Sequence, residues 1–300
     1  MIPSLKSICF AAFVTACSSS GPGQDTNKET GDTKETGDTQ EVEVLPTETE
    51  RRVLHEAFTG STCGPCAPAT ENIKRVLETH PGQYTLLKIH VGSDPYITTE
   101  GVKRRLYYLP GESSYGIPFV HADGTNGFHP NLMNNEEGYQ DADFESFAAV
   151  PSTLEMSVSH TVTGQKVDWE IEILPLADVP ADNLRLHVAI MEGTTYNNVG
   201  TNGQTEFHNV MKKMVPDQNG SELAALTRGE VVQLTGSYTF QGSYTENTGI
   251  SNPVDHSTGH TVEEFEDLEV AVWVQNEETW EVHQSAWTHS DCGGQPECGE

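Results

Sequence analysis

A period-two alternation of apolar and polar residues runs through the second half of this 300-residue chain and constrains its fold more than any other feature. Leu154, Met156 and Val158 begin the alternation, which recurs as far as Trp287. Such alternation is typical of strands buried on one face, with turns between them. The apolar runs are 154–158, 167–173, 184–190, 231–240, 268–274 and 280–287, and Phe207–Val215 is ambiguous between a strand and an edge segment. These runs predict an all-β, immunoglobulin-like sandwich domain over residues 151–300.

The first half carries a Cys-x-x-Cys pair between two elements of regular structure. Arg52–Thr59 is an apolar run of strand length, and it precedes Cys63 and Cys66. Ala69–His80 then has apolar residues at spacings of three and four, which indicates an amphipathic helix, and Tyr84–Val91 has the composition of a buried strand. This order predicts an α/β domain over residues 51–150.

The spacing of the two cysteines has a chemical meaning. Two intervening residues let a first helical turn bring both sulfurs within bonding distance, and a helix N-terminus favours a thiolate over a thiol. Cys63 is then the nucleophile of thiol–disulfide exchange and Cys66 the resolving thiol. Two other interpretations stay open: a permanent structural disulfide, or a metal site. The metal site lacks ligands, because zinc takes about four and no second Cys-x-x-Cys exists. The histidines that could tune Cys63 are at positions 55, 90, 121 and 129.

The residues Cys63–Cys66 (CGPC) resemble the active-site motif of the thioredoxin family. Gly116–Val120 (GIPFV) is similar to that family's cis-proline element, and the resemblance implies that Ile117 and Pro118 bind substrate. The chain also departs from the family. Thr62 stands where tryptophan is usual, and Ala57 stands where a buried aspartate is usual. The neighbouring Glu56 should face the other side of its strand.

The whole layout is similar to the twenty-eight-kilodalton outer-membrane protein family, in which a thioredoxin-like half precedes a β-sandwich half. The segments that carry this likeness are Val53–Gly60, Cys63–Cys66, His90–Tyr96, Gly116–Val120 and His208–Pro216. The resemblance implies the architecture of a bacterial envelope protein. The segment Ser93–Tyr115, between the cysteine pair and Gly116–Val120, is expected to be an insertion. Within it, Lys103, Arg104 and Arg105 form a small basic spot.

The first fifty residues are interpreted as a secretory signal followed by a linker. Residues 1–17 have the form of a secretory signal that ends in Val-Thr-Ala-Cys, which resembles a lipobox and assigns lipidation to Cys17. Cleavage after Ala16 without lipidation is the alternative. Ser18 after the cysteine favours the outer membrane. The acidic stretch 18–50 has almost nothing to bury and is predicted to be a disordered linker.

At the other end, Cys292 and Cys298 lie in a Gly-Pro tail and predict a small loop disulfide, with a Cys/His metal site or free thiols as alternatives.

The four tryptophans are expected in the core or rim of the sandwich, and a carbohydrate-stacking face is the alternative for them. They are Trp169, Trp273, Trp280 and Trp287.

The charge balance narrows the function. The chain has 45 acidic against 16 basic residues, a formal net charge of −29, which argues against nucleic-acid binding. The sequence therefore predicts a lipid-anchored thiol–disulfide oxidoreductase of the bacterial envelope that acts on protein thiols and disulfides. No cofactor or metal is predicted. The alternative is a non-catalytic binding or structural outer-membrane lipoprotein with an inert disulfide.

Overall fold

The structure is a computed structural model that describes residues 44–109, 116–131, 138–197, 200–245 and 253–289. Within these residues the helices are α1 (Cys66–Leu77), α2 (Thr99–Tyr107) and α3 (Asp141–Ala148). The strands are β1 (Val53–Thr59), β2 (Tyr84–His90), β3 (Phe119–Ala122), β4 (Asn126–Phe128), β5 (Leu154–Thr163), β6 (Lys166–Pro175), β7 (Leu184–Thr195), β8 (Phe207–Val215), β9 (Ser221–Glu222), β10 (Val232–Thr239), β11 (Leu268–Asn276) and β12 (Val282–Trp287). None of the described helices is long and apolar enough to cross a membrane.

Nine of these strands form one mixed sheet. Its order is β12-β11-β7-β8-β2-β1-β3-β4, and β9 pairs with β7 outside this path. The strands β1 and β2 are parallel, whereas β3 runs antiparallel to β1. The two halves of the chain join where β2 pairs in parallel with β8, at Lys88 and Val210. A second sheet has three strands in the order β10-β6-β5.

The hydrophobic core follows this sheet rather than the order of the chain. One cluster fills the space between the two sheets, with Ile171 and Ile173 of β6 against Val188 and Val272 of β7 and β11. A second cluster joins Leu87 of β2 to residues of β7, β8 and β11. A third lies between β1 and the helices α1 and α3. Residues from both halves of the sequence therefore share the second cluster.

The predicted fold class, an α/β thioredoxin-like domain followed by an all-β immunoglobulin-like sandwich, is wrong. The described chain is mostly β, with three helices and a single nine-stranded sheet that takes strands from both halves. The physical reason lies in β8. Phe207–Val215 is a central strand between β7 and β2, so the sheet of the second half continues into the first instead of closing on itself. The division of the chain at residues 150 and 151 stays a prediction.

Individual elements were predicted better than the architecture. The strand and helix expected around the cysteines are β1 and α1, although α1 begins at Cys66 rather than Ala69. The alternating runs of the second half are β5, β6, β7, β10, β11 and β12. Of the residues of the expected basic spot, Lys103 is exposed but Arg104 is fully buried. The predicted lipidation at Cys17 and the predicted disulfide between Cys292 and Cys298 lie outside the described residues.

Candidate functional site

The two cysteines form a disulfide at the start of α1. Cys63 lies in the turn before the helix and is partly exposed, whereas Cys66 is the first helical residue and is fully buried. Their Cα atoms are 5.3 Å apart. The turn is closed by backbone hydrogen bonds, from Cys63 N to the Gly60 carbonyl and from Cys66 N to the Cys63 carbonyl, each 3.1 Å. This arrangement leaves the sulfur of Cys63 as the one that a second molecule approaches first.

The segment that precedes β3 lies against this sulfur. The carbonyl oxygen of Ile117 is 3.6 Å from Cys63 Sγ, and the Ile117–Pro118 peptide bond is cis. His129 holds the same segment from the other side, with Nδ1 at 2.7 Å from the Pro118 carbonyl oxygen. The structure thus brings together Cys63, Cys66, Ile117 and Pro118, the four residues that the sequence assigned to one site. His129 contributes by positioning the loop, a role that the sequence did not indicate.

A buried carboxylate anchors the turn before Cys63. Asp94 Oδ2 accepts hydrogen bonds from Ser61 N at 2.6 Å and from Ser61 Oγ at 2.9 Å, and it lies 3.0 Å from His90 Nδ1. Its other oxygen accepts from Tyr96 N at 2.8 Å. Burial alone would raise the pKa of Asp94, but His90 and these donors hold it well below its usual range. Asp94 is therefore ionised at neutral pH, and it fixes the turn through charge-assisted hydrogen bonds.

A loop from the second half of the chain covers the same turn. Asn202 N donates to the Ser61 carbonyl at 3.0 Å, and Asn202 Nδ2 donates to the Gly60 carbonyl at 3.3 Å. Gly200 lies so close that a Cβ atom there would stand 2.2 Å from the Ser61 carbonyl oxygen. The backbone around the cysteines is thus held both by Asp94 and by the segment between β7 and β8, which sequence analysis did not associate with the site.

Replacing Gly200 with alanine should lower the free energy of unfolding by about 1–3 kcal/mol, because the added methyl group overlaps the Ser61 carbonyl. That carbonyl is backbone and already bonded to Asn202, so it cannot move aside easily. Urea denaturation measures the effect. Gly116→Ala is the matched control, since a Cβ there meets no atom of the described residues within 4 Å. Equal stability of the two variants would contradict the close contact.

The histidines proposed to tune Cys63 have other partners. His90 pairs with Asp94, and His55 Nε2 lies 2.7 Å from the Tyr139 hydroxyl. Burial lowers the pKa of His55 to about 4, and burial likewise lowers that of His121 to about 4. Both imidazoles are thus neutral at pH 7 and supply no positive charge. The hydrogen-bond partner of Cys63 Sγ is the Ile117 carbonyl oxygen.

Ala57, which stands where the thioredoxin family has a buried aspartate, and its neighbour Glu56 lie on opposite faces of β1, as expected. Ala57 faces α1 and joins the cluster that includes Ile73. Glu56 is fully buried on the other face and binds Arg104 of α2, at 2.6 Å from Nε to Oε1. Neither supplies a carboxylate to the buried Cys66. In the described ranges no group of three or more His, Cys, Asp or Glu side chains is arranged to hold a metal ion.

Comparison with known proteins supports the fold and little more. No protein-family model and no curated protein matches the chain. Among solved structures, HBP35 of Porphyromonas gingivalis is similar over 84% of this chain and 79% of its own, with 15% identity and a TM-score of 0.58. A structural-genomics protein of Agrobacterium tumefaciens is 15% identical over 62% of this chain and 78% of its own, with a TM-score of 0.42. At such identities the likeness to HBP35 concerns the fold alone. Membership of the thioredoxin and twenty-eight-kilodalton families stays a prediction.

Proposed function

We propose that this chain is a thiol–disulfide exchange protein that acts on protein disulfides through Cys63 and Cys66. The observation that supports it most is the difference between the two sulfurs. Cys63 is partly exposed beside the Ile117 carbonyl, and Cys66 is buried behind it at the start of α1. An attacking thiol has to be accessible, whereas a resolving thiol has to reach only its neighbour.

The exchange proceeds in two balanced steps. The Cys63 thiolate attacks one sulfur of a substrate disulfide, so a mixed disulfide forms and the other substrate sulfur leaves as a thiolate. Cys66, after losing its proton, attacks Cys63 Sγ, and the second substrate thiolate leaves. The substrate gains two electrons, and the pair becomes the disulfide seen in the structure. An external dithiol restores the reduced pair, and the relative reduction potentials set the direction.

Fixed backbone groups support both steps. Asp94 and Asn202 hold Ser61 from two sides, so the turn that carries Cys63 keeps its place when the disulfide opens. The Ile117 carbonyl is an acceptor for a substrate amide or for the reduced Cys63 thiol.

The proposed setting is the bacterial envelope, with a lipid on Cys17 as membrane anchor. That setting rests on the sequence, as does the choice of protein disulfides as substrates.

A Cys66→Ser variant should accumulate the mixed disulfide, because its Cys63 still attacks but nothing resolves the product. The reduced variant is incubated with oxidised insulin, and the adduct is detected by intact mass and by its release with dithiothreitol. The unmodified chain should speed the reduction of insulin by dithiothreitol, and either single variant should return the rate to that of dithiothreitol alone.

Cys63→Ser is the matched control, since it keeps the buried thiol of the pair but removes the accessible one. It should form no adduct at the pair, which peptide mapping distinguishes from adducts at the four other cysteines. If Cys66→Ser forms no adduct and the unmodified chain does not speed insulin reduction, the proposal fails. The pair is then the inert disulfide of a binding or structural lipoprotein, and the double Cys63→Ser, Cys66→Ser variant should lose only thermal stability.

A further inference from the structure

A cleft lies where the two halves of the nine-stranded sheet meet. Its volume is about 660 Å³, which falls within the range of sites for small molecules. One wall is α1, with Thr70 and Glu71, and the floor includes Lys88 of β2. The opposite wall comes from the segment before β8 and from β8 itself, and Trp287 lines one end. The disulfide is not among the residues that line this cleft, and nothing in the exchange proposed above uses it.

The floor of the cleft carries a buried cation. Lys88 is 7% exposed, and in the part of the chain that the structure describes its ammonium group has no hydrogen bond and no carboxylate within ion-pair distance. Burial lowers the pKa of Lys88 to about 8, although Glu71 opposes this effect. The amine is still mostly protonated at pH 7. Its Nζ opens into the cleft, where an anionic group of a ligand can pair with it.

A second polar group without a partner lies beside Lys88. Asn209 is 8% exposed and lines the same cleft, and its side-chain amide has no hydrogen bond within the described ranges. It adjoins Val210, the residue that pairs with Lys88 across β2 and β8, and its φ of 57° lies in the left-handed region. Neither Lys88 Nζ nor the Asn209 amide is among the fully buried polar atoms of the described residues, so both open into the cleft, where they can bond to the polar groups of a ligand.

The walls restrict what that ligand is. Five carboxylates line the cleft around the single buried cation, those of Glu71, Glu78, Glu206, Asp267 and Glu269, and the exposed Lys74 on its rim pairs with Glu78. A ligand with several negative charges would be repelled by them, whereas hydroxyl groups donate well to carboxylates. Trp287 and His289 add an aromatic wall, in which the two rings are stacked with their centroids 4.4 Å apart. The surroundings therefore suit one negative charge, several hydroxyl groups and a ring with a flat apolar face.

We propose that this cleft binds an acidic monosaccharide of the hexuronate class, with the sugar carboxylate paired to the Lys88 ammonium. The Asn209 amide bonds to ring or hydroxyl oxygens, the wall carboxylates accept from hydroxyl groups, and Trp287 packs against the sugar ring. This site is separate from the cysteine pair, so it stands whether or not the chain exchanges disulfides.

Calorimetric titration of the purified full chain at pH 7 tests the proposal, with D-glucuronate as the probe. D-glucose keeps the ring without the charge, and acetate keeps the charge without the ring. Glucuronate should bind saturably and at least about tenfold more tightly than either, because a buried charge-assisted pair and the ring contacts act together. Lys88→Met should weaken glucuronate binding by about tenfold or more.

The exposed Lys103 provides the control, because Lys103→Met removes the same charge from another element and should leave glucuronate affinity within about twofold. Three results would overturn the proposal. The first is that glucuronate shows no saturable binding, and the second is that it binds the Lys88→Met variant as tightly as the unmodified chain. If acetate binds as tightly as glucuronate, the cleft is a simple anion site and the sugar assignment is wrong.

Discussion

Replacing Arg104 with methionine should lower the free energy of unfolding by about 3–5 kcal/mol, because it leaves the buried Glu56 carboxylate without its counterion. Both side chains are fully buried, and the guanidinium also donates to the Tyr108 hydroxyl at 2.7 Å and to Gln275 Oε1 at 2.6 Å. Burial alone would lower the pKa of Arg104, but Glu56 holds it above its ordinary value, so the guanidinium is charged. Urea denaturation of the purified variants measures the loss.

The neighbouring Lys103 supplies the control, since it is exposed and Lys103→Met should change stability by no more than about 0.5 kcal/mol. The double variant Glu56→Gln, Arg104→Met should be more stable than the sum of the single effects predicts, because neither charge is then left alone. An Arg104→Met variant within about 1 kcal/mol of the unmodified chain would contradict the buried pair.

Local patterns predicted the strands but not how they assemble. In β7 and β11 consecutive residues, which face opposite sides of the sheet, are both apolar, for example Val188 and Ala189, and Val272 and Trp273. That composition is typical of strands covered on both faces, a signal that the period-two interpretation overlooked. The pairing of β2 with β8 has no local signal, because its residues are far apart in the chain. Within β8 the ammonium of Lys212 is buried against Glu192, and a lysine in the sequence gives no indication of such a buried pair.

The site was predictable where its residues are contiguous or belong to a known motif. Cys63 and Cys66 share one turn, and Ile117 and Pro118 came from a resemblance rather than from physical reasoning. Asp94 lies in the segment 90–96 that resembles the twenty-eight-kilodalton outer-membrane protein family. A single aspartate in a loop is usually exposed, so the sequence did not indicate that this one is buried. Asn202 reaches Ser61 only because β7 and β8 lie in the same sheet as β1. Its role follows from the tertiary structure, which no sequence window contains.

For Lys88, in the cleft where the two halves of the sheet meet, we expect a substitution to raise stability, whereas the Arg104 substitution lowers it. Lys88→Met should raise the free energy of unfolding at pH 7 by about 3 kcal/mol, because it replaces a buried, unpaired ammonium with an apolar side chain of similar length. The pKa of this lysine falls from 10.5 to about 8 on burial, and such a fall is equivalent to about 3 kcal/mol against the folded state. Urea denaturation measures the gain, and Lys103→Met is again the control.

The pH dependence identifies the cause of that gain. Below about pH 8 the amine is protonated in both the folded and the unfolded chain, so the whole penalty is present. Between pH 8 and 10.5 the folded chain has released its proton and the unfolded chain has not, and the penalty shrinks as pH rises. The stability difference between Lys88→Met and the unmodified chain should therefore narrow over this interval. A Lys88→Met variant less stable than the unmodified chain at pH 7 would mean that the ammonium has a stabilising partner. A residue that weakens the fold and is nevertheless present is expected at a binding site, where stability and function compete.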